Sequence, residues 1–329
     1  MNQHPKTTQR LEGLDSLRGL AALGVMAYHY AEDRNYYGML GVELFFVISG
    51  FVILMSLEKV KSLCEFALHR AARLYPAYWF SVAVVGTATL CQSQFDLVTL
   101  VINVTMLQGF MHVDNLIDPY WTLTYELWFY VVMAIVFAIG HIRNVDRIAV
   151  AWFFLMIAVH GALSIGHGWY VYNHWLFKLL FMPQFGHLFI AGMMIYRVNT
   201  GRGSPTTILV LGLALLYSLF GRPDWAAIPP LIYFPVNAVF IALVWAASSG
   251  RTFGLSILAS IGVVSYSLYL LHVPIMLMVP HDTWKGIAIS LTITFFVSAF
   301  SRRYIERPVL TWTKSLENGK LGAFGGSNS

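Results

Sequence analysis

Charge is scarce in this chain. Only 11% of its 329 residues are Asp, Glu, Lys or Arg, against about 25% in an average soluble protein. With 57% hydrophobic residues and a mean hydropathy of +0.64, that scarcity excludes a soluble enzyme and a disordered chain. Cysteine is scarce too. Cys64 and Cys91 are too few for a disulfide-built secreted domain. No polar stretch exceeds about 30 residues, less than a separate soluble domain needs. No repeat of 20–50 residues appears, nor the similarity between halves that transporters show. Walker A, GxGxxG, CxxC and HExxH patterns are all missing, so neither a phosphate-cradling loop nor a zinc site is expected, and no metal is assigned.

What the chain has instead is long apolar runs. Ten of them approach the roughly 17–25 residues that cross a bilayer: about 13–32, 39–56, 74–91, 120–140, 148–165, 176–196, 206–220, 228–248, 255–279 and 285–303. The sixth is interrupted by Lys178, Pro183 and His187. The region 92–118 reads as an outer loop with one or two amphipathic turns. The first run carries Asp15 and Arg18 and lacks a small-residue cleavage site, so it reads as a span and not a signal peptide.

Basic residues set the orientation. With the N-terminus inside, only Arg34, Lys178, Arg222 and Lys285 fall on or near the outer side, and the other 17 of the 21 Lys and Arg fall inside. This is the asymmetry of the positive-inside rule. The expected fold is an all-α polytopic membrane protein of about ten transmembrane helices with both termini cytoplasmic. Cys64 and Cys91 then lie on opposite sides. The net charge of +5 is a membrane signature and not a nucleic-acid footprint, because the basic residues sit between apolar stretches. The chain divides into a cytoplasmic segment 1–11, a membrane domain 12–310 and a polar, Gly-rich tail 311–329 expected to be disordered.

Ionisable groups within spans are costly and are therefore functional candidates. Arg18 and His29 are 11 residues apart, so at 100° per residue they share one helix face, about 16.5 Å apart along the axis. Arg18 falls at the inner mouth and His29 in the outer third. Glu43, Glu126 and His272, each from another span, fall in the same outer half. A carboxylate beside a histidine holds it in one tautomer, the arrangement of a general base. Glu126 is the expected partner of His29, with Glu43 as the competitor. On the inner side, Arg70 and Arg73 lie at i and i+3 on one helix face, at the depth of Arg18. Three guanidiniums there suit a multi-phosphate ligand, although lipid headgroups and topology also explain juxtamembrane arginines such as Arg302, Arg303 and Arg307. Ser49 reads as a packing residue and not a nucleophile.

Six segments, LDSLRGLAALGVMAYHY, GVELFFVISGFVI, RAARLYPAYW, WTLTYELWFY, SYSLYLLHVP and YIERP, spread in that order from residue 14 to 308, resemble the membrane-bound acyltransferase-3 family of bacterial carbohydrate O-acyltransferases. The resemblance implies that His29 is catalytic, that Arg18 is essential, that Arg70 and Arg73 serve the acyl-CoA side, and that Glu126 lies in a functional motif. Asp15, Glu43, Trp121, Tyr125 and His272 are carried as substrate-side or supporting residues. It implies a stand-alone member in a bacterial inner membrane. Its donor would be acyl-CoA, most simply acetyl-CoA, with no bound cofactor. Its acceptor would be a hydroxyl of an extracytoplasmic or lipid-linked carbohydrate, and its other partners membrane lipids. A secondary transporter of a small anionic or sugar-like solute, and a receptor or scaffold with internally paired charges, are the competing readings.

Overall fold

The computed structural model describes residues 5–31, 37–91, 96–164, 175–223, 228–250 and 256–324, and the described residues form helices without a strand. Numbered in chain order, these are α1 (Pro5–Tyr30), α2 (Gly41–Leu57), α3 (Leu63–Cys91), α4 (Leu97–Val104), α5 (Tyr120–Ala138), α6 (Val145–Ser164), α7 (Trp175–Phe181), α8 (Gly186–Asn199), α9 (Pro205–Tyr217), α10 (Pro230–Ser248), α11 (Ser256–Met278), α12 (Trp284–Ser301) and α13 (Arg307–Phe324). A π turn, Arg302–Glu306, joins α12 to α13. Among the described residues, six helical stretches are long and apolar enough to cross a membrane: Tyr37–Leu57, Tyr120–Ala138, Trp175–Asn199, Pro230–Ser248, Ser256–Met278 and Trp284–Leu316. This is a multi-pass membrane protein. The other four expected spans coincide with α1, α3, α6 and the shorter α9. Of the basic residues that set the expected orientation, Arg34 and Arg251 lie outside the described residues.

Two close helix pairs form the scaffold. α1 packs along α11, and α2 along α8. A Cβ at Gly262 would overlap the carbonyl of Asp15, and one at Gly19 would meet the carbonyl of Leu258. Across the second pair, a Cβ at Gly50 would meet the carbonyl of Phe189, and one at Gly192 the carbonyl of Val47. Small residues of this kind let membrane helices approach until their backbones touch. The α1–α11 contacts advance together, from Asp15 against Gly262 to His29 against His272, so the two helices run parallel. That register carries His29 to His272.

The interrupted sixth run is two helices. Between α7 and α8, Met182 adopts φ 48° and Pro183 has no N–H to continue the ladder. The carbonyls freed by the break are claimed by indoles: Trp128 Nε1 donates to the Leu180 carbonyl at 3.0 Å and Trp152 Nε1 to that of Phe181 at 3.4 Å. A break within the membrane is tolerable because these donors satisfy it.

The region 92–118 contains the two-turn helix α4, capped by the Asp96 carboxylate, which accepts from the backbone N–H groups of Val98 and Thr99. Leu97, Val98, Val101 and Val104 are exposed on it. Buried Asn103 ties the following loop down: its Nδ2 donates to the Asp114 carbonyl at 2.9 Å and its Oδ1 accepts from the Leu116 N–H at 3.2 Å. That loop delivers Asp118 to the start of α5.

The segment from 311, expected to be disordered, is helical as far as Phe324. Apolar and small residues recur there at helical spacing, and Thr313 is buried, so one face of α13 is packed inward.

Candidate active site

His29 ends α1 and is paired with His272 of α11. His29 Nδ1 stands 3.0 Å from the Val25 carbonyl, and His272 Nδ1 stands 3.0 Å from the Leu268 carbonyl. A carbonyl oxygen only accepts, so each Nδ1 carries its hydrogen and each neutral ring is an Nδ1–H tautomer. The His29 Nδ1–H is shared with His272 Nε2, 3.2 Å away, which must then be the acceptor. The rings meet edge to face at 4.8 Å between centroids. His29 Nε2 is left with a lone pair, buried and without a hydrogen-bond partner among the described residues. The carboxylate of Asp118 stands beside it, largely exposed, with Oδ2 at 3.7 Å. An imidazole fixed in one tautomer, with its basic nitrogen unclaimed beside an exposed carboxylate, has the geometry that general-base chemistry needs.

The arginine end of α1 opens into a cavity of about 390 Å³, within the range of ligand sites. Arg18, Arg70 and Arg73 all line it, so the convergence expected from sequence is present. Their partners differ. Arg18 pairs with Asp15 at 2.7 Å, and Arg73 with buried Glu306 at 3.0 Å. Arg70 donates to Ser56 Oγ at 3.2 Å and lies over the rings of Phe66 and Tyr130. It has no carboxylate partner among the described residues. Arg70 is therefore the least neutralised charge of the three.

Glu126 and Ser49 line the same cavity, and this corrects the expected His29–Glu126 contact. The Glu126 Oε1 accepts from Ser49 Oγ at 3.1 Å and from the Tyr130 hydroxyl, and it is not among the groups around His29. Sequence gives the depth of a side chain in a span but not its direction. α5 packs against α2 and α3 rather than α1, so its Glu126 face turns to the arginine cavity while its preceding loop, at Asp118, meets His29. Glu43, the competitor, accepts from the Tyr233 hydroxyl at 3.3 Å and is not beside His29 either. Trp121 and Tyr125 pack with Phe185 at 5.4 and 5.1 Å between ring centroids, next to the break between α7 and α8. Ser49 is a hydrogen-bond donor in the cavity wall, which is more than packing. Among the described residues, no three His, Cys, Asp or Glu side chains gather to hold a metal ion.

Three further residues carry the site without having been singled out. Asp118 precedes Pro119 just ahead of the WTLTYELWFY segment, and an acid at the end of a span was the available signal. Tyr269 lies between the cavity, which it lines, and His272, whose ring is 6.1 Å away. Its hydroxyl donates to the Pro119 carbonyl at 3.0 Å and meets Thr122 Oγ1 at 2.8 Å. Glu306, within the quoted YIERP, accepts from Arg73, from Arg302 at 3.1 Å and from Ser267 at 2.6 Å. Five consecutive π-helical residues, Arg302–Glu306, turn it inward.

A membrane-crossing bundle with a poised imidazole at one end of a helix and an arginine-lined cavity at the other is the frame of a membrane-embedded group-transfer protein. The acyltransferase domain family matches residues 11–301, most of the chain, and the protein belongs to this acyltransferase-3 family. The O-acetyltransferase OatA of Staphylococcus aureus, in strains NCTC 8325 / PS 47 and COL, is 25% identical over 348 residues, which cover 91% of this chain and 57% of the relative. A Staphylococcus aureus (strain COL) protein whose name assigns it provisionally to the O-acetyltransferases is 25% identical over 358 residues, covering 92% of this chain and 58% of its own length. The chain thus spans under three-fifths of these relatives. No solved structure matches it.

Proposed function

We propose that the protein transfers an acyl group, most simply acetyl, from acyl-CoA at the arginine cavity to a carbohydrate hydroxyl at His29. The observation that carries this reading is the arrangement along α1: three arginines at one end, an unclaimed imidazole nitrogen at the other, about 16.5 Å between them by helical rise. The O-acetyltransferase names of the relatives support the acyl group. Acyl-CoA is made in the cytoplasm and its nucleotide cannot cross a bilayer, so the arginine end faces the cytoplasm. Both termini lie there too, in a bacterial inner membrane crossed about ten times. The acceptor is an exopolysaccharide, O-antigen or similar glycan on the other side.

The arginines hold the phosphates as permanent, bidentate donors. The thin pantetheine arm runs up the cavity, and Tyr269 swings aside to admit the thioester. His29 Nε2 takes the proton of the acceptor hydroxyl as its oxygen attacks the thioester carbonyl. The Asp118 carboxylate and His272 Nε2 stabilise the resulting imidazolium. The tetrahedral intermediate then collapses, the C–S bond breaks, and the CoA sulfur leaves with the proton returned by His29.

The test is purified protein with radiolabelled acetyl-CoA and membrane-linked glycan from the source cells. Label moving to the glycan in the wild type and not in His29→Ala is the expected result. Uptake of a solute into vesicles without acyl transfer would return the protein to the transporter reading.

A further inference from the structure

We infer that a groove along the π turn Arg302–Glu306 and the start of α13, formed by Arg303, Tyr304, Arg307, Thr311, Trp312 and Ser315, binds the headgroup of an anionic phospholipid from the leaflet bordering the arginine cavity, and that the bound lipid holds α13 against that cavity.

The helix has two faces. Within α13, residues 308, 311 and 315 recur at three- and four-residue spacing on one side, and 310 and 313 on another, about 200° around the axis; Tyr304 and Glu306 continue the two faces into the π turn. The second face is inward: Glu306 and Thr313 are buried, while Leu310, Thr313 and Lys314 line the cavity. The first face is outward, with Tyr304 60% and Trp312 57% exposed. Tyr and Trp in such positions are groups of the bilayer interface, where a ring meets acyl chains and its polar edge meets water.

The charges on the outward face are unclaimed. Arg302, next in sequence, is spent on Glu306. Arg303 and Arg307 are exposed and have no acidic partner among the described residues; Arg303 lies 5.6 Å from the Tyr304 ring centroid. Two guanidiniums four residues apart complement a phosphodiester oxygen pair, while the Thr311 and Ser315 hydroxyls donate to the Arg307 and Trp312 carbonyls of their own helix at 2.8 and 2.7 Å. The flanking Trp312 and Tyr304 require an apolar continuation of the ligand, which a lipid has and a free phosphate lacks. This inference rests on the surface of α13 and stands apart from the acyl-transfer reading, except in its activity readout.

The test uses the full chain in nanodiscs of phosphatidylcholine alone or mixed equally with phosphatidylglycerol, with native mass spectrometry counting the lipids retained on release. The wild type should keep phosphatidylglycerol preferentially. Arg303→Gln with Arg307→Gln should reduce that preference by roughly 25-fold, about fivefold for each basic residue at a membrane surface, whereas the double Lys variant keeps most of it. The acyl-CoA KM should fall when phosphatidylglycerol is present in the wild type and stay at its phosphatidylcholine value in the Gln variant. Undiminished retention by the Gln variant overturns the lipid site. So does displacement of the lipid by inorganic phosphate, which would make it a free-anion site. Lost retention with an unchanged KM overturns the link to the cavity. A protein that retains the lipid selectively but transfers no acyl group counts against the proposed function alone.

Discussion

At the His29 end of α1 both imidazoles are tied to main-chain carbonyls of their own helices, and the carboxylate nearby is left exposed. At the Arg18 end of the same helix the side chains are tied to one another: Arg18 to Asp15, Arg73 to Glu306, Glu126 to Ser49 and Tyr130. The first region fixes one nitrogen and leaves it free to react. The second neutralises most of its charge and leaves Arg70 to attract an anion. A carbonyl of the preceding helical turn is enough to fix a tautomer, as Val25 does for His29 and Leu268 for His272. The three arginines are held differently: Arg18 by an acid three residues away, Arg73 by Glu306 recruited across 233 residues, and Arg70 by no carboxylate among the described residues. On the proposed reading chemistry and donor binding are therefore separable, and substitutions at the two ends should fail differently.

The largest effect belongs to His29→Ala. Transfer should fall by about 10²–10⁴-fold, the contribution of a positioned acid–base group, as measured by label transfer. Arg70→Ala and Arg73→Ala should instead act through the donor. The KM for acyl-CoA should rise roughly 10–100-fold, because a hydrogen bond to a charged group contributes about 1.5–3 kcal/mol. Lysine should rescue poorly, since it cannot reproduce the planar fork. His272→Phe keeps a ring against His29 but removes the Nε2 acceptor. Turnover should fall by up to roughly tenfold, in line with a single hydrogen bond of about 1 kcal/mol, with KM unchanged. If KM moves with it, His272 shapes the donor cavity and the separation is weaker than drawn. The smallest effect is that of Glu126→Gln. Removing a negative charge beside the arginines should lower the acyl-CoA KM a few-fold and leave turnover near wild type. A collapse of turnover would put Glu126 back in the chemistry.

Sequence carried the α1 axis well. The Arg18–His29 spacing needs only helical rise and twist, and the convergence of Arg70 and Arg73 with Arg18 needs only a shared depth. Glu126, whose direct partners are Ser49 and Tyr130, shows where such reading stops: hydropathy gives depth along a span but not the neighbour a side chain faces. α5 meets α2 and α3, which no periodicity within α5 announces. Asp118 was overlooked because it lies in the loop ahead of a span, where depth arguments do not reach, and its position depends on the tether at Asn103. The polar, Gly-rich end beyond 311 likewise concealed a helix whose inward face becomes apparent only once the cavity it lines is seen.

The most direct test of the separation is the affinity of His29→Ala for a non-transferable acyl-CoA thioether, measured by calorimetry in nanodiscs beside Arg70→Ala and the wild type. The account predicts wild-type affinity for His29→Ala, with transfer abolished, and weakened affinity for Arg70→Ala. Weak binding by His29→Ala, or full-strength binding by Arg70→Ala, would contradict it.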